Sequence, residues 1–296
     1  MPLKVSEPIA RERLDEFNKK TEKDLKDLNE IDRKDIEILA TCAEYAEGVF
    51  HYLKKRENWV QVKNKLSKVQ GEKNSTLREG VVEWLVKIQI KFGLKDATLH
   101  LALSILDRFL VLEKIYPSQF PLLGLVAILI AAKYEEIYPP HLRNFLLCMD
   151  KAASRKEVLN MELTVLKKLN FDISVPSVLD FLNRFRKFTN SSETAFNLAM
   201  YICEMQTLND EMQKYSPSLL AIGGLYLAEK AINDKFFIED SLLKKAEYSD
   251  EEIKACAKEI LSNMLVKEKV LVSNIRRKYG VHRDVLKINL NSNIIN

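Results

Sequence analysis

Apolar residues along the chain recur every three or four positions rather than alternating, which is the period of a helix with one buried face. Residues 77–92, LREGVVEWLVKIQIKF, place Leu77, Val81, Trp84, Leu85, Ile88 and Phe92 on one side. Residues 96–112 repeat the pattern with Leu99, Ala102, Leu103, Leu106 and Leu110. No convincing run of strands interrupts it, so the expected class is all-α. Helix starts are marked by Asp96 ahead of Ala97, Pro117 and Ser118, Ser154 ahead of Glu157, Pro176, Ser191 and Ser192 with Glu193, and Pro217. Helices of about 10 to 18 residues with short connections follow.

The pattern also repeats. Displaced by 97 positions without a gap, Trp84-Leu85 falls on Phe181-Leu182, Leu101-Ala102 on Leu198-Ala199, Leu122-Leu123 on Leu219-Leu220, Lys133 on Lys230 and Glu162 on Glu259. Two five-helix domains are expected, joined by Phe171–Ser177 (FDISVPS). Ahead of them, residues 11–37 are dominated by charge, with only a thin stripe of Leu14, Phe17, Leu25, Leu28 and Ile31. A denser helix is expected from about Asp32 to Lys55, in which Tyr45 and Tyr52, seven apart, share a face.

Composition narrows the function classes. A chain of 296 residues with 47% hydrophobic and 30% charged positions forms a sizeable core, and a net charge of +4 is too small to announce a nucleic-acid partner. Cys42, Cys148, Cys203 and Cys256 lie far apart without a C-x-x-C pair, as expected of reduced thiols. The apolar run Phe120–Ala132, 13 residues with Pro121 and Gly124, is expected to be buried core rather than a membrane span, and the protein to be soluble. His51, His100, His141 and His282 sit in separate segments, and no glycine-rich loop or hydrolase motif occurs, so no active site is expected.

What remains is a binding surface. Residues 125–140, LVAILIAAKYEEIYPP, end an apolar run on one lysine, a tyrosine, two glutamates and paired prolines. On a helix ending near Tyr134, Ile130, Lys133 and Tyr134 face the same way and Ile137 follows. Two readings are open: a lysine snorkelling to water from a core helix, or a lysine centred in an apolar patch and held by a carboxylate of another helix, for which Glu162 is the natural candidate.

The chain resembles mitotic cyclins, most closely the B type, nearly ungapped from Glu44 to about Leu265. The segments that carry the resemblance are YAEGVFHYL (45–53), LREGVVEWLVKIQIKF (77–92), ATLHLALSILDRFL (97–110), LLGLVAILIAAKYEEIYPP (122–140), VLNMELTVLKKLNFDI (158–173) and, briefly, SNIRRKYG (273–280). The resemblance implies tandem five-helix cyclin boxes with a preceding helix and a short C-terminal tail, divided as 1–43, 44–173, 174–270 and 271–296. It implies a non-catalytic regulatory subunit of a cyclin-dependent kinase in mitotic control, nuclear and cytoplasmic, with no cofactor, no metal, no nucleic acid and no membrane. On that resemblance Lys133 and Glu162 form an ion pair gripping the kinase's αC helix. Ile130, Tyr134, Ile137, Leu166, Phe171 and Ile173 supply the apolar surround, Tyr45 and Tyr52 brace the kinase, and Asp107 and Arg108 are structural.

The resemblance also implies a groove for substrates or inhibitors bearing Arg-x-Leu motifs, on Leu77, Arg78, Val81 and Trp84. Here the chain departs from the family at Gly80, Lys87 and Pro121. Arg11-Glu12-Arg13-Leu14 fits a minimal destruction signal. A non-activating cyclin-fold scaffold and a transcription-factor-like cyclin-box protein are the alternatives, the latter calling for a basic face and a zinc ribbon.

Overall fold

The computed structural model describes residues 32, 43–60, 66–149, 153–233, 236, 238–268 and 274–280. The charged segment 11–37, apart from residue 32, and the Arg11–Leu14 motif lie outside them, as do Cys42, His282 and residues 33–42 of the expected first helix. Every regular element among the described residues is helical. Two compact units are distinguished, Met1–Leu53 and Lys54–Asn296. A 3-10 turn, Ala43–Tyr45, leads into α1, Ala46–Val60. In the first unit Phe50 is buried while Tyr45, Val49 and Tyr52 are exposed.

The first repeat follows as α2 (Leu66–Gln70), α3 (Glu72–Phe92), α4 (Asp96–Leu112), α5 (Phe120–Glu135), α6 (Leu142–Leu146) and α7 (Arg155–Lys168). The second consists of α8 (Val178–Thr189), α9 (Glu193–Gln206), α10 (Pro217–Ile232), α11 (Asp240–Ala246) and α12 (Asp250–Glu268), and a short α13 (Asn274–Tyr279) closes the described chain. The 97-residue displacement holds at helix boundaries: it carries the end of α3 at Phe92 onto the end of α8 at Thr189, the start of α4 onto the start of α9, and both ends of α5 onto both ends of α10.

Local chemistry explains those boundaries. Ser154 accepts from the Glu157 amide at 3.2 Å while Glu157 accepts from the Ser154 amide at 2.7 Å, a reciprocal cap that satisfies two otherwise orphaned donors. Ser177 and Asp180 do the same for α8, so the start expected at Pro176 belongs to the serine after it. Ser192 caps α9 and Ser216 caps α10 ahead of Pro217.

α5 is the axis of its repeat. Leu123 to Ala132 are all buried, and the helix packs on α4, α3 and α7. With its lead-in it forms a helical stretch of 19 residues, Pro117–Glu135, longer than the expected 13-residue run and long and apolar enough to cross a bilayer. Its burial among other helices is what a core helix shows. A Cβ at Gly124 would lie 2.5 Å from Val81 Cγ1, so only glycine lets α5 approach α3 this closely. Gly80 is different: exposed, inside α3, with nothing within 4 Å of an added Cβ. Gly80→Ala is therefore expected to raise stability by up to about 1 kcal/mol, read as a higher urea midpoint at unchanged slope.

Polar ties cross between the repeats. Arg78, 2% exposed, donates from Nε and Nη2 to Asp107 at 2.5 and 2.7 Å and from Nη1 to the Thr207 carbonyl at 2.7 Å. Burial, the largest single influence, works against its charge, but Asp107 foremost, joined by Asp210 and Glu79, holds the pKa above the ordinary arginine value. Arg78 was expected beside the docking residues; it is an internal strut. At the end of α1, Glu57 accepts from Ser218 N and Oγ at 3.0 and 2.8 Å, capping α10, and Lys54 pairs with Glu57 at 3.0 Å. Arg56 bonds Asp172 in the joint. α13 is a clasp: Lys278 bonds Asp96 of the first repeat at 2.6 Å and Glu204 of the second at 2.5 Å, and the Tyr279 hydroxyl donates to Glu204 at 2.8 Å.

Candidate functional site

α5 and α7 run side by side, and at the C-terminal end of α5 Lys133 Nζ donates to Glu162 Oε1 on α7 at 2.5 Å. The lysine side chain is 50% exposed and the glutamate 14%. The helix stops here because its second glutamate turns inward: Glu136 accepts from the Lys95 amide at 2.8 Å and from Thr98 Oγ1 at 2.5 Å, fastening the end of α5 to the start of α4. Lys95 Nζ donates to the Glu135 carbonyl at 2.8 Å, neutralising the negative end of the helix.

Apolar side chains stand exposed at the end of α5, along α7 and just beyond both helices. Tyr134 is 53% exposed, Ile137 80% and Phe171 63%, while Leu166 and Ile173 are partly exposed. Ile130 differs from the expectation: it is 4% exposed, because one turn before Lys133 the helix face is still covered, and it supports the patch from beneath. Leu159 and Leu163, both exposed, were not anticipated. With Glu162 and Leu166 they recur at three- and four-residue spacing on α7, so the periodicity that located the core could have found this outward stripe.

The rim ends in a costly turn. Asn170 and Phe171 both hold left-handed backbones, with φ of 51° and 58°, and the Phe171 amide donates to the Leu166 carbonyl at 2.8 Å. For a phenylalanine this conformation costs roughly 1–2 kcal/mol, yet its ring stays in solvent. A strained, exposed aromatic marks a surface shaped for something other than the stability of the chain itself.

The residues expected to form the second groove separate. Leu77 is exposed and Trp84 half-buried, but Val81, 6% exposed, is core against Gly124. Its apolar periodicity was read correctly and its exposure was not.

The N-terminal half of the chain, residues 48–174, matches the cyclin N-terminal domain, and residues 176–290 match the cyclin C-terminal domain. The chain belongs to the cyclin family. Its two repeats are tandem cyclin boxes. Among relatives, the G2/mitotic-specific cyclin S13-6 of Glycine max is 30% identical over 260 residues, covering 88% of this chain and 57% of that protein. Cyclin-B2-2 of Oryza sativa subsp. indica is 29% identical and covers 87% and 64%. The G2/mitotic-specific cyclin-A of Patella vulgata is 32% identical and covers 84% and 58%. The chain thus spans less than two thirds of the length of these relatives.

Among solved structures, a viral cyclin from herpesvirus saimiri superposes with a TM-score of 0.65 at 20% identity, over 73% of this chain and 96% of that one. The yeast RNA polymerase II CTD kinase complex CTDK-1 contains a chain that matches at a TM-score of 0.56 and 14% identity, over 71% of each. At such identities the likeness speaks for the fold alone.

Proposed function

We propose that this cyclin is the non-catalytic regulatory subunit of a cyclin-dependent protein kinase and acts in mitotic control. The observation that carries the reading is the Lys133–Glu162 pair at 2.5 Å, half open to solvent and set among exposed apolar side chains. Such a surface offers an ammonium group to the carbonyls at a helix end and an apolar rim to its flank. In this reading Tyr134, Ile137, Leu159, Leu163, Leu166, Phe171 and Ile173 seat the kinase's αC helix over buried Ile130, and Tyr45 and Tyr52 brace it. The working division is 1–43, 44–173, 174–270 and 271–296, with nucleus and cytoplasm as the sites of action.

Activation needs no chemistry from the cyclin. A kinase is competent when its β3 lysine pairs with the αC glutamate and its activation loop is ordered, so a subunit that binds only the inward position of αC selects the active population. An interface doing this buries on the order of 2,000 Å² or more. Alone, the chain is expected to hydrolyse no ATP above a mock preparation. Mixed with a cyclin-dependent kinase, it is expected to raise phosphorylation of a peptide substrate by orders of magnitude. Capture of the kinase without activation would favour the scaffold reading.

Arg-x-Leu recruitment through Leu77 and Trp84 belongs to the same proposal in a reduced form. Gly80 leaves open space on α3 where a large side chain would add a wall, and Val81 is withdrawn into the core.

A further inference from the structure

Between the two cyclin boxes lies a cleft of about 270 Å³. One side is a single face of α4, formed by Ala97, His100, Leu101, Ser104 and Arg108. At 1.5 Å per residue this row runs roughly 16 Å from Ala97 to Arg108. The joint, from Ser174 to Val178, and the segment bearing Gln213 and Tyr215 form the other walls.

Three of the lining side chains carry enclosed polar atoms with no hydrogen-bond partner in the protein: both amide atoms of Gln213, Nη1 of Arg108, and Nε2 of His100, which is 7% exposed. Buried polar groups nearly always have partners, and four orphans on residues that line one cleft, from α4 and a facing segment, mark a place where a ligand's groups belong. Burial, the largest influence, keeps His100 below its ordinary pKa and therefore neutral at physiological pH.

The ends of the cleft are charged with opposite sign. At one end burial foremost, and then Arg56, lower the pKa of Arg108 against the pull of Asp172, a carboxylate that Arg56 already holds. The guanidinium is under-compensated. At the other end burial and then Asp180 push the Glu135 carboxyl up, Glu136 adds to them and Lys95 opposes, so negative charge gathers there although Asp180 also accepts from Ser177 N and Oγ at 2.8 Å. The remaining acids of the lining are engaged, Asp107 with Arg78 and Glu57 with Lys54 and Ser218.

We propose that the inter-box cleft is a docking groove for an extended partner peptide of about five residues, at ~3.3 Å each, with an acidic side chain at Arg108 and a basic one at Glu135 and Asp180. Main-chain amides of the peptide meet Gln213, which offers a donor and an acceptor, and His100. The groove shares Tyr134 with the rim of the Lys133–Glu162 surface but none of the other residues named there, and it has no residue of the Leu77–Trp84 face, so it stands whether or not the chain activates a kinase.

The test is anisotropy titration of the full chain with fluorescein-labelled Arg-Gly-Ser-Gly-Glu and the same peptide in reverse order. Companion peptides carry citrulline for arginine or glutamine for glutamate. One order is expected to bind saturably, and each neutral substitution, like Gln213→Leu in the protein, to weaken it about fivefold or more. Gln213→Leu is expected to leave the melting temperature and kinase activation unchanged, which separates failure of this groove from failure of the kinase surface. No saturable binding by either order, equal binding of the neutral peptides, or unaltered binding to a folded Gln213→Leu chain would overturn the proposal.

Discussion

Lys133→Ala and Glu162→Ala are each expected to weaken binding to a cyclin-dependent kinase by roughly 2–5 kcal/mol, the usual cost of truncating one member of a charge pair that becomes buried in an interface. In the free chain the pair is half open and contributes little to folding, since exposed pairs contribute ~0–1 kcal/mol. In the proposed complex its strength is expected to arise when the kinase covers Tyr134, Ile137, Leu163 and Phe171 and removes water. The second cyclin box is the internal control. Lys230 and Glu259 stand 97 positions on, but Tyr134 becomes Ala231, Ile137 becomes Asp234, Leu166 becomes Asn263 and Phe171 becomes Glu268. Glu259 is moreover engaged by Lys214 at 2.6 Å and by the Tyr215 hydroxyl at 2.6 Å. Lys230→Ala and Glu259→Ala are accordingly expected to change kinase binding by less than about 1 kcal/mol. Four calorimetric titrations against one kinase decide the matter, and comparable losses from both boxes would sink the claim that the first alone grips the kinase.

The largest effect on folding is expected at Asp107. Asp107→Leu leaves the Arg78 guanidinium, 2% exposed, with the Thr207 carbonyl as its one hydrogen-bond partner among the described residues and only the weaker pull of Asp210 and Glu79, and a buried charge that loses its paired partner typically costs about 3–5 kcal/mol. Arginine cannot escape by losing its proton, so this loss does not diminish across the workable pH range. The double change Arg78→Met with Asp107→Leu removes the stranded charge and is expected to be less destabilising than Asp107→Leu alone. Urea unfolding of the three proteins measures the difference. A single variant within 1 kcal/mol of the parent would show that water reaches the guanidinium.

Much of the fold was written in local pattern. The bounds of α4 at Asp96 and Leu112 follow from apolar spacing, and the in-phase starts of α5 and α10 from the duplication. The Ser154–Glu157 cap is a three-residue signal. The misreadings share a cause: whether a residue on a correctly assigned helix faces solvent depends on elements distant in sequence. Val81 is covered because Gly124, 43 positions later, admits α5. Arg78 looked like a surface residue because Asp107 and Thr207 are remote from it in sequence. The inter-box cleft was illegible for the same reason: His100 and Gln213 share a cavity only after both boxes have folded.

The clasp formed by α13 bears on the order in which the chain is made. Translation completes both cyclin boxes before Lys278 and Tyr279 leave the ribosome, and domains generally fold as they emerge. Asp96 and Glu204 must therefore wait through synthesis of the second box without the cation that later joins them. Each box has to find its fold without that cation, and α13 latches together two finished parts rather than guiding either.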